Sequence, residues 1–298
     1  MACNYDSVNK IFSLKGRPSS NPLIAHVLNK EWIEKIALPS DQAFRLCKIF
    51  WPGPLTLVLP KKKIIPDNLS AGLPTIGIRS PAHHSFRKVL EIVKQPIAAP
   101  SANLANRVSP TSVEHVVDNF GKDCPPILDG GNCQYGLEST VLDLTSNEPC
   151  ILRPGAVTLN QIEDILKCIV KRNIGTTSNV HVSQKSPGTS SIHYAPKTPL
   201  NLFRNFHQMV TAQKEMTNEV VVVPSLANSQ EFNANNVTTL ALSQDGCSIS
   251  IAKNLYRVLQ NADKLGKDKI NACLLEGNEK LTPAINDRLI RASNLFFR

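Results

Sequence analysis

Several features that commonly announce a function are missing from this sequence. Aromatic residues make up only 5% of the 298-residue chain, which counts against recognition of single-stranded nucleic acid by rows of stacking rings. No apolar run approaches the ~20 residues of a membrane-spanning helix, and the longest purely aliphatic one is Val220 to Val223. The start, Met-Ala-Cys-Asn-Tyr-Asp, has neither the basic opening nor the apolar centre of a secretory signal. A cytoplasmic protein with no membrane partner is therefore expected. The 8 cysteines, at 3, 47, 124, 133, 150, 168, 247 and 273, form no Cys-x-x-Cys pair and lie at no zinc-ligand spacing to a histidine. They read as reduced thiols, and no metal-ligating residue is expected. Neither a Walker loop nor a Gly-x-Gly-x-x-Gly fingerprint occurs, and no Ser, His and acid triad stands out.

What is present is basic. Lys plus Arg outnumber Asp plus Glu by 33 to 24, giving a formal charge of +9, an excess that favours an anionic ligand. The densest run, Lys61 to Lys63, reads better as a solvated strand end than as a nucleic-acid patch. The length is enough for two domains of ordinary size.

The most informative stretch is Lys15 to Val27, Lys-Gly-Arg-Pro-Ser-Ser-Asn-Pro-Leu-Ile-Ala-His-Val. Pro18 and Pro22 hold Arg17 and Asn21 extended, so a helix over Asn9 to Leu14 must end there and a strand, Leu23 to Val27, follows. Two cations, an amide and an imidazole thus share one stiff corner. The fork of Arg17 suits a phosphate or carboxylate, although a solvated helix end before a buried strand explains the same residues.

Further on, Trp32 to Ala37 and Ser40 to Phe50 read as helices, and Leu55 to Pro60 as a strand buried on both faces. Thr75 to Arg79 is a strand that places Thr75, Gly77 and Arg79 on one face and Ile76 and Ile78 on the other. Pro96 to Pro110 opens from a short strand into a loop of small polar residues, Ser101, Asn103, Asn106 and Ser109. A helix starting near Thr111, with Glu114 closing a capping box, is expected next. Ile127 to Gly131, Glu138 to Leu144 and Ile151 to Ala156 read as strands, and Leu159 to Val170 as a helix. Arg17, Arg79 and Arg153 each stand at or near a strand end beside a proline, with hydroxyls at Ser139 and Thr140. Such a set, rich in cations and poor in nucleophiles, fits chemistry by positioning and charge stabilisation, as in phosphoryl or nucleotidyl transfer.

Asn173 to Pro196 has a linker's composition, in which His193 and Tyr194 are unexpected unless the segment packs back onto a site. Beyond it, strands at Leu200 to Phe203, Val220 to Val223, Thr238 to Leu242 and Ala272 to Leu275 alternate with helices at Ser250 to Leu265 and Pro283 to Ser293. That alternation predicts a small, mainly parallel α/β domain.

Six segments, Lys15 to Val27, Thr75 to Pro81, Ala99 to Thr111, Glu138 to Asp143, Leu152 to Gly155 and Ser186 to Pro196, together resemble in order and spacing the YrdC-like threonylcarbamoyl-AMP synthases in their long, two-domain form. The resemblance implies a twisted mixed-sheet α/β domain with a deep basic cavity over residues 1–172, a lid-like linker over 173–196 and a smaller Rossmann-like α/β domain over 197–298. It implies a nucleotidyltransferase that makes threonylcarbamoyl-AMP and pyrophosphate from L-threonine, bicarbonate and ATP, with Mg2+ accompanying ATP. The product would pass to a threonylcarbamoyl transferase machinery that modifies an adenosine of tRNA.

Carried over residue by residue, Lys15 and Arg17 fall at catalytic positions. Arg17, Asn21, Thr75, Ser101, Asn103, Ser109, Arg153 and Tyr194 fall at ATP positions, and His26, Arg79, Ala99 and Ser139 at threonine positions. The family normally begins with a strand and a Pro-Thr-Glu-Thr-Val-Tyr-Gly-Leu loop, whereas Met1 falls essentially inside the following helix; a start further upstream and a shortened form are both compatible with this. Thr189 to Ile192 also replaces the aromatic and basic residues usual before His-Tyr-Ala-Pro. The rival readings are a double-stranded RNA-binding module and an inactive truncated paralogue.

Overall fold

The structure, a computed structural model, describes residues 1–172, 187, 193–232, 237–277 and 280–297. The part of the expected lid over 173–186 and 188–192 lies outside the described residues. The chain divides into two compact units, Met1–Ala105 with Glu138–Ser190, and Asn106–Leu137 with Ser191–Arg298.

In the first unit, the helix Tyr5–Lys15 starts where the Asn4 side chain accepts from the Ser7 N–H at 2.8 Å. It stops at Gly16, whose left-handed φ of 58° costs a glycine little. The strands are β1 (Ile24–His26), β2 (Leu55–Pro60), β3 (Thr75–Arg79), β4 (Ile97–Ala98), β5 (Thr140–Asp143), β6 (Cys150–Arg153) and β7 (Lys171–Arg172). They form one mixed sheet in the order β4-β1-β3-β2-β5-β6-β7. β1 runs parallel to β3, and β2 parallel to β5, while β2 lies antiparallel to β3, and β5 antiparallel to β6.

One face of this sheet is the core. Ala25, Leu55, Leu57, Leu59, Ile76, Ile78 and Leu142 pack there with Ala43, Leu46 and Cys47 of the helix Asp41–Phe50 and with Ile162 and Leu166 of the helix Leu159–Leu166. Burying each such aliphatic side chain contributes roughly 1.5–3 kcal/mol.

The second unit is built on β8 (Leu200–Phe203), β9 (Glu219–Ser225), β10 (Val237–Ser243), β11 (Ile270–Cys273) and β12 (Leu295–Phe297), in the order β10-β9-β11-β8-β12. All four pairings are parallel, as the strand and helix alternation requires. The helix Ser248–Lys264 buries one side through Ile251, Ala252, Leu255, Leu259 and Ala262, the spacing expected of an amphipathic helix on a sheet.

Two local expectations are corrected. No strand forms over Ile127–Gly131. Pro125 and Pro126 lack the N–H a ladder needs, and the Asp129 carboxylate instead accepts from the Gly131 N–H at 2.7 Å in an exposed turn. No capping box forms at Thr111 and Glu114. The helix there is Val113–Phe120, and Thr111 turns its N–H and hydroxyl to His115 Nδ1, each at 3.3 Å. A reciprocal box forms instead between Thr158 and Gln161.

Candidate functional site

Residues paired across neighbouring strands point to the same side of a sheet, so the register carries a face from strand to strand. His26 pairs with Arg79, and Ile24 with Gly77. Gly77 pairs with Val58, Thr56 with Val141, and Val141 with Arg153. His26, Thr56, Thr75, Gly77, Arg79 and Arg153 therefore share the face opposite the core. Gly77 keeps the middle of that face low, since a Cβ there would lie 3.3 Å from the Ile24 side chain and 3.4 Å from that of Thr56.

Strand direction sorts these groups into two ends. His26 closes β1, Arg79 closes β3, Arg153 closes β6 and Ser139 precedes β5, so all four stand at one edge of the sheet. Arg153 donates from Nε and Nη2 to the Ser139 carbonyl at 3.2 and 3.0 Å, and from Nη2 to the Ser139 hydroxyl at 3.2 Å. The same hydroxyl lies 2.7 Å from Thr56 Oγ1. Gly155 lets this corner close, because a Cβ there would stand 2.3 Å from the Thr140 nitrogen. Arg79 donates Nε–H to the Gly53 carbonyl at 3.0 Å, and its Nη1 and Nη2 meet no acceptor among the described residues. Burial first, and the charge of Arg153 second, bring Arg79 down to about 10.

His26 is buried, with its ring edge-on to Phe86 at 5.2 Å, and its Nδ1 has no hydrogen-bond partner among the described residues. Burial and then the Arg79 charge push it down to about 3. Both influences favour the neutral imidazole, which can serve as a hydrogen-bonding group.

At the other edge, about 13 Å along β3 at ~3.3 Å per residue, Thr75 is buried, and its hydroxyl has no partner among the described residues. There the chain enters β1 from Asn21. Arg17 is turned onto its own loop, donating from Nε to the Asn21 carbonyl at 3.0 Å, and from Nη2 to the Asn21 side chain at 2.5 Å and the Pro22 carbonyl at 2.8 Å. Lys15, buried at the end of its helix, donates to the Ser101 carbonyl at 2.5 Å and to the carbonyl and side chain of Asn103. Burial, with the Arg17 charge second, pushes its ammonium down to about 7. Ala99 lies beside β1, its N–H donating to Ile24 at 3.4 Å.

Eleven of the residues marked in the sequence thus fall in the first unit, while Ser109 and Tyr194 fall in the second. The Ser109 carbonyl accepts from Gln260 at 2.9 Å. Tyr194, buried, stacks on Tyr256 at 5.7 Å and lies under the Arg288 guanidinium at 5.1 Å.

The Sua5/YciO/YrdC family model, described as "Telomere recombination", matches residues 1–155, and the model of the threonylcarbamoyl-AMP synthase C-terminal domain matches residues 157–294. A threonylcarbamoyl-AMP synthase of Pyrococcus abyssi is 38% identical, over 98% of this chain and 86% of its own length. One of Bacillus subtilis is 34% identical, over 98% and 85%. The chain belongs to the threonylcarbamoyl-AMP synthase family. It has the two-domain form, a YrdC-like domain plus a C-terminal domain. The crystal structure of P. abyssi Sua5 complexed with L-threonine matches 100% of this chain and 88% of that one, with a TM-score of 0.88 at 34% identity.

Within this threonylcarbamoyl-AMP synthase fold, the sequence reading missed Thr56 and Gly53. Thr56 is the one hydroxyl in an apolar strand, a signal hidden by reading Leu55 to Pro60 as buried on both faces. Gly53 orients Arg79 through its carbonyl, and its own Cβ would stand 2.2 Å from the Phe50 carbonyl.

Proposed function

We propose that this chain condenses L-threonine, bicarbonate and ATP into threonylcarbamoyl-AMP, releasing pyrophosphate. The observation that carries this reading is a set of hydrogen-bonding groups on one sheet face that are uncommitted among the described residues: the Arg79 fork, His26 Nδ1 and the Thr75 hydroxyl. Arg79 and Arg153 stand together there with no carboxylate among the site residues to answer them, which favours a carboxylate or phosphate ligand.

In this reading Arg79 takes the threonine carboxylate and fixes the amino acid, with His26, Ser139 and the Ala99 backbone around it. Arg17, Asn21, Thr75, Ser101, Asn103, Ser109, Arg153 and Tyr194 serve the nucleotide, and Lys15 and Arg17 act at the reacting phosphate. Bicarbonate takes a proton and loses water to give CO2, which the threonine amine takes up as a carbamate with release of a proton; the carbamate oxygen attacks the α-phosphate, and pyrophosphate leaves. The chain's contribution is to position reactants and stabilise charge. The donor set of amides, hydroxyls and cations does not fit a resident divalent ion, and no step is assigned to Mg2+, which would arrive on the ATP phosphates.

The division of labour follows the sequence, with residues 1–172 catalytic, 173–196 a lid and 197–298 a small accessory domain. In support of the lid, Arg153 Nη1 donates to the Pro187 carbonyl at 3.0 Å. The product would pass, in the cytoplasm, to a transferase acting on tRNA.

The test is pyrophosphate release from purified full-length chain. Release should require threonine as well as ATP and bicarbonate, and Arg17→Ala should abolish it. Threonine-independent release would refute the reading. RNA binding equal in wild type and Arg17→Ala, without turnover, would point to an RNA-binding module.

A further inference from the structure

The second unit carries a separate site. The carboxyl ends of β8, β9, β10 and β11 open onto a cavity of about 230 Å³ whose lining includes Phe206, Asn228, Ser248, Ile251, Glu276 and Thr282. In open parallel sheets this is where loops and helix starts converge on ligands.

Two independent features mark one end of it as an anion receptor. The helix Ser248–Lys264 starts here without a side-chain cap and without an acidic residue in its first turn. The N–H groups just before it are taken, Gly246 by Ser243 at 2.7 Å and Cys247 by Asp245 at 3.0 Å. Those of Ser248, Ile249 and Ser250 meet no acceptor among the described residues, which leaves the positive helix end open. The second feature is a pair of hydroxyls. Ser248 and Thr282 are 4% and 3% exposed, line the cavity, and make no side-chain hydrogen bond among the described residues.

The remaining lining narrows the ligand. Among the described residues no Lys or Arg contributes, whereas the exposed Glu276 does, and Phe206, Ile251, Leu274 and Leu275 supply an apolar wall. A multiply charged phosphate would face Glu276 with no cation to answer it. A single carboxylate beside an ammonium satisfies both poles. We propose that this cavity binds a small α-amino acid as its zwitterion. The carboxylate sits on the first-turn N–H groups and the Ser248 and Thr282 hydroxyls, the ammonium meets Glu276, and a side chain of a few carbons lies against Phe206 and Ile251. The assignment does not rest on the synthase reading, which concerns the first unit.

The experiment is equilibrium dialysis of full-length protein with radiolabelled L-threonine, L-valine and glycine, and with acetate and inorganic phosphate as competitors. Arg79→Ala silences the amino-acid position of the first unit. That variant should still bind one amino acid per chain. Adding Ser248→Asp should remove this binding, because it plants a carboxylate where the helix end welcomes one; the same preference keeps the fold, checked by thermal melting. Adding Glu276→Gln should weaken binding at least tenfold, the factor that loss of a charged hydrogen bond brings. Absence of amino-acid binding by Arg79→Ala, binding that survives Ser248→Asp, or displacement by acetate or phosphate as readily as by amino acids would each overturn the proposal. Failure of pyrophosphate release with this binding intact would count against the synthase reading alone.

Discussion

Replacing Lys15 by methionine tests how the end of the site proposed to take nucleotide is held. The Lys15 ammonium is buried and moved from 10.5 to about 7, chiefly by desolvation. A cation whose folded pKa is depressed costs nothing above its unfolded value. The cost grows as pH falls through the window between the two values and is complete below the folded one. Within that window, wild type gains about 1.4 kcal/mol per pH unit relative to a side chain that does not titrate. Between about pH 7 and pH 9 the stability difference between wild type and Lys15→Met should therefore move by about 2 kcal/mol in favour of wild type. Superimposed on this is a pH-independent loss, because the Ser101 and Asn103 carbonyls lose the charged donor of Lys15, though the Ser101 carbonyl still accepts from the Asn103 N–H at 3.0 Å; a hydrogen bond to a charged group contributes roughly 1.5–3 kcal/mol. Urea unfolding followed by tryptophan fluorescence isolates the relevant unit, since both tryptophans, Trp32 and Trp51, lie in the first one. Parallel pH dependences for the two proteins would refute the reasoning. A second readout joins this to function: if ATP phosphates sit at Lys15, they raise its affinity for a proton. Nucleotide binding near pH 8 should then take up protons, measurable by calorimetry in buffers of different ionisation enthalpy, and Lys15→Met should not.

Gly77→Val raises the low centre of the proposed ligand face, where a Cβ would meet Ile24 and Thr56 at 3.3 and 3.4 Å. Threonine-dependent pyrophosphate release should fall by about a hundredfold or more while the chain stays folded by circular dichroism, and unchanged release would show that the substrates do not use this face. His26, pushed down to about 3 by burial and Arg79, costs nothing above its unfolded pKa of about 6.5; below it the unfolded chain takes up a proton that the folded one does not, so stability is lost progressively as pH falls from there to about 3. Its ring resonances in nuclear magnetic resonance should not titrate between about pH 5 and 8, and an inflection there would contradict the buried, neutral assignment.

Much of this was legible from local pattern. The alternation in Thr75 to Arg79 fixed which side chains share a face, and the pairing register extended that face to His26 and Arg153. Pro18 and Pro22 marked the end of the first helix and the start of β1. The strand and helix alternation after residue 197 gave a parallel sheet. The misreadings, a strand at Ile127–Gly131 and a capping box at Glu114, fell where short motifs compete on nearly equal terms and a neighbouring proline pair or histidine decides.

By itself, then, the sequence determined the order and type of the main elements, the basic character of the site and the family to which the chain belongs, because periodicity, proline placement and charge are properties of the chain. Only the tertiary structure decided how each polar group is used. Arg17 turns back onto Asn21 while Arg79 keeps its fork open. Lys15 pins a loop 86 residues away, and Thr56 joins Ser139 and Arg153 in one corner. Those roles depend on which distant partners burial brings within hydrogen-bond reach, and no local spacing records that.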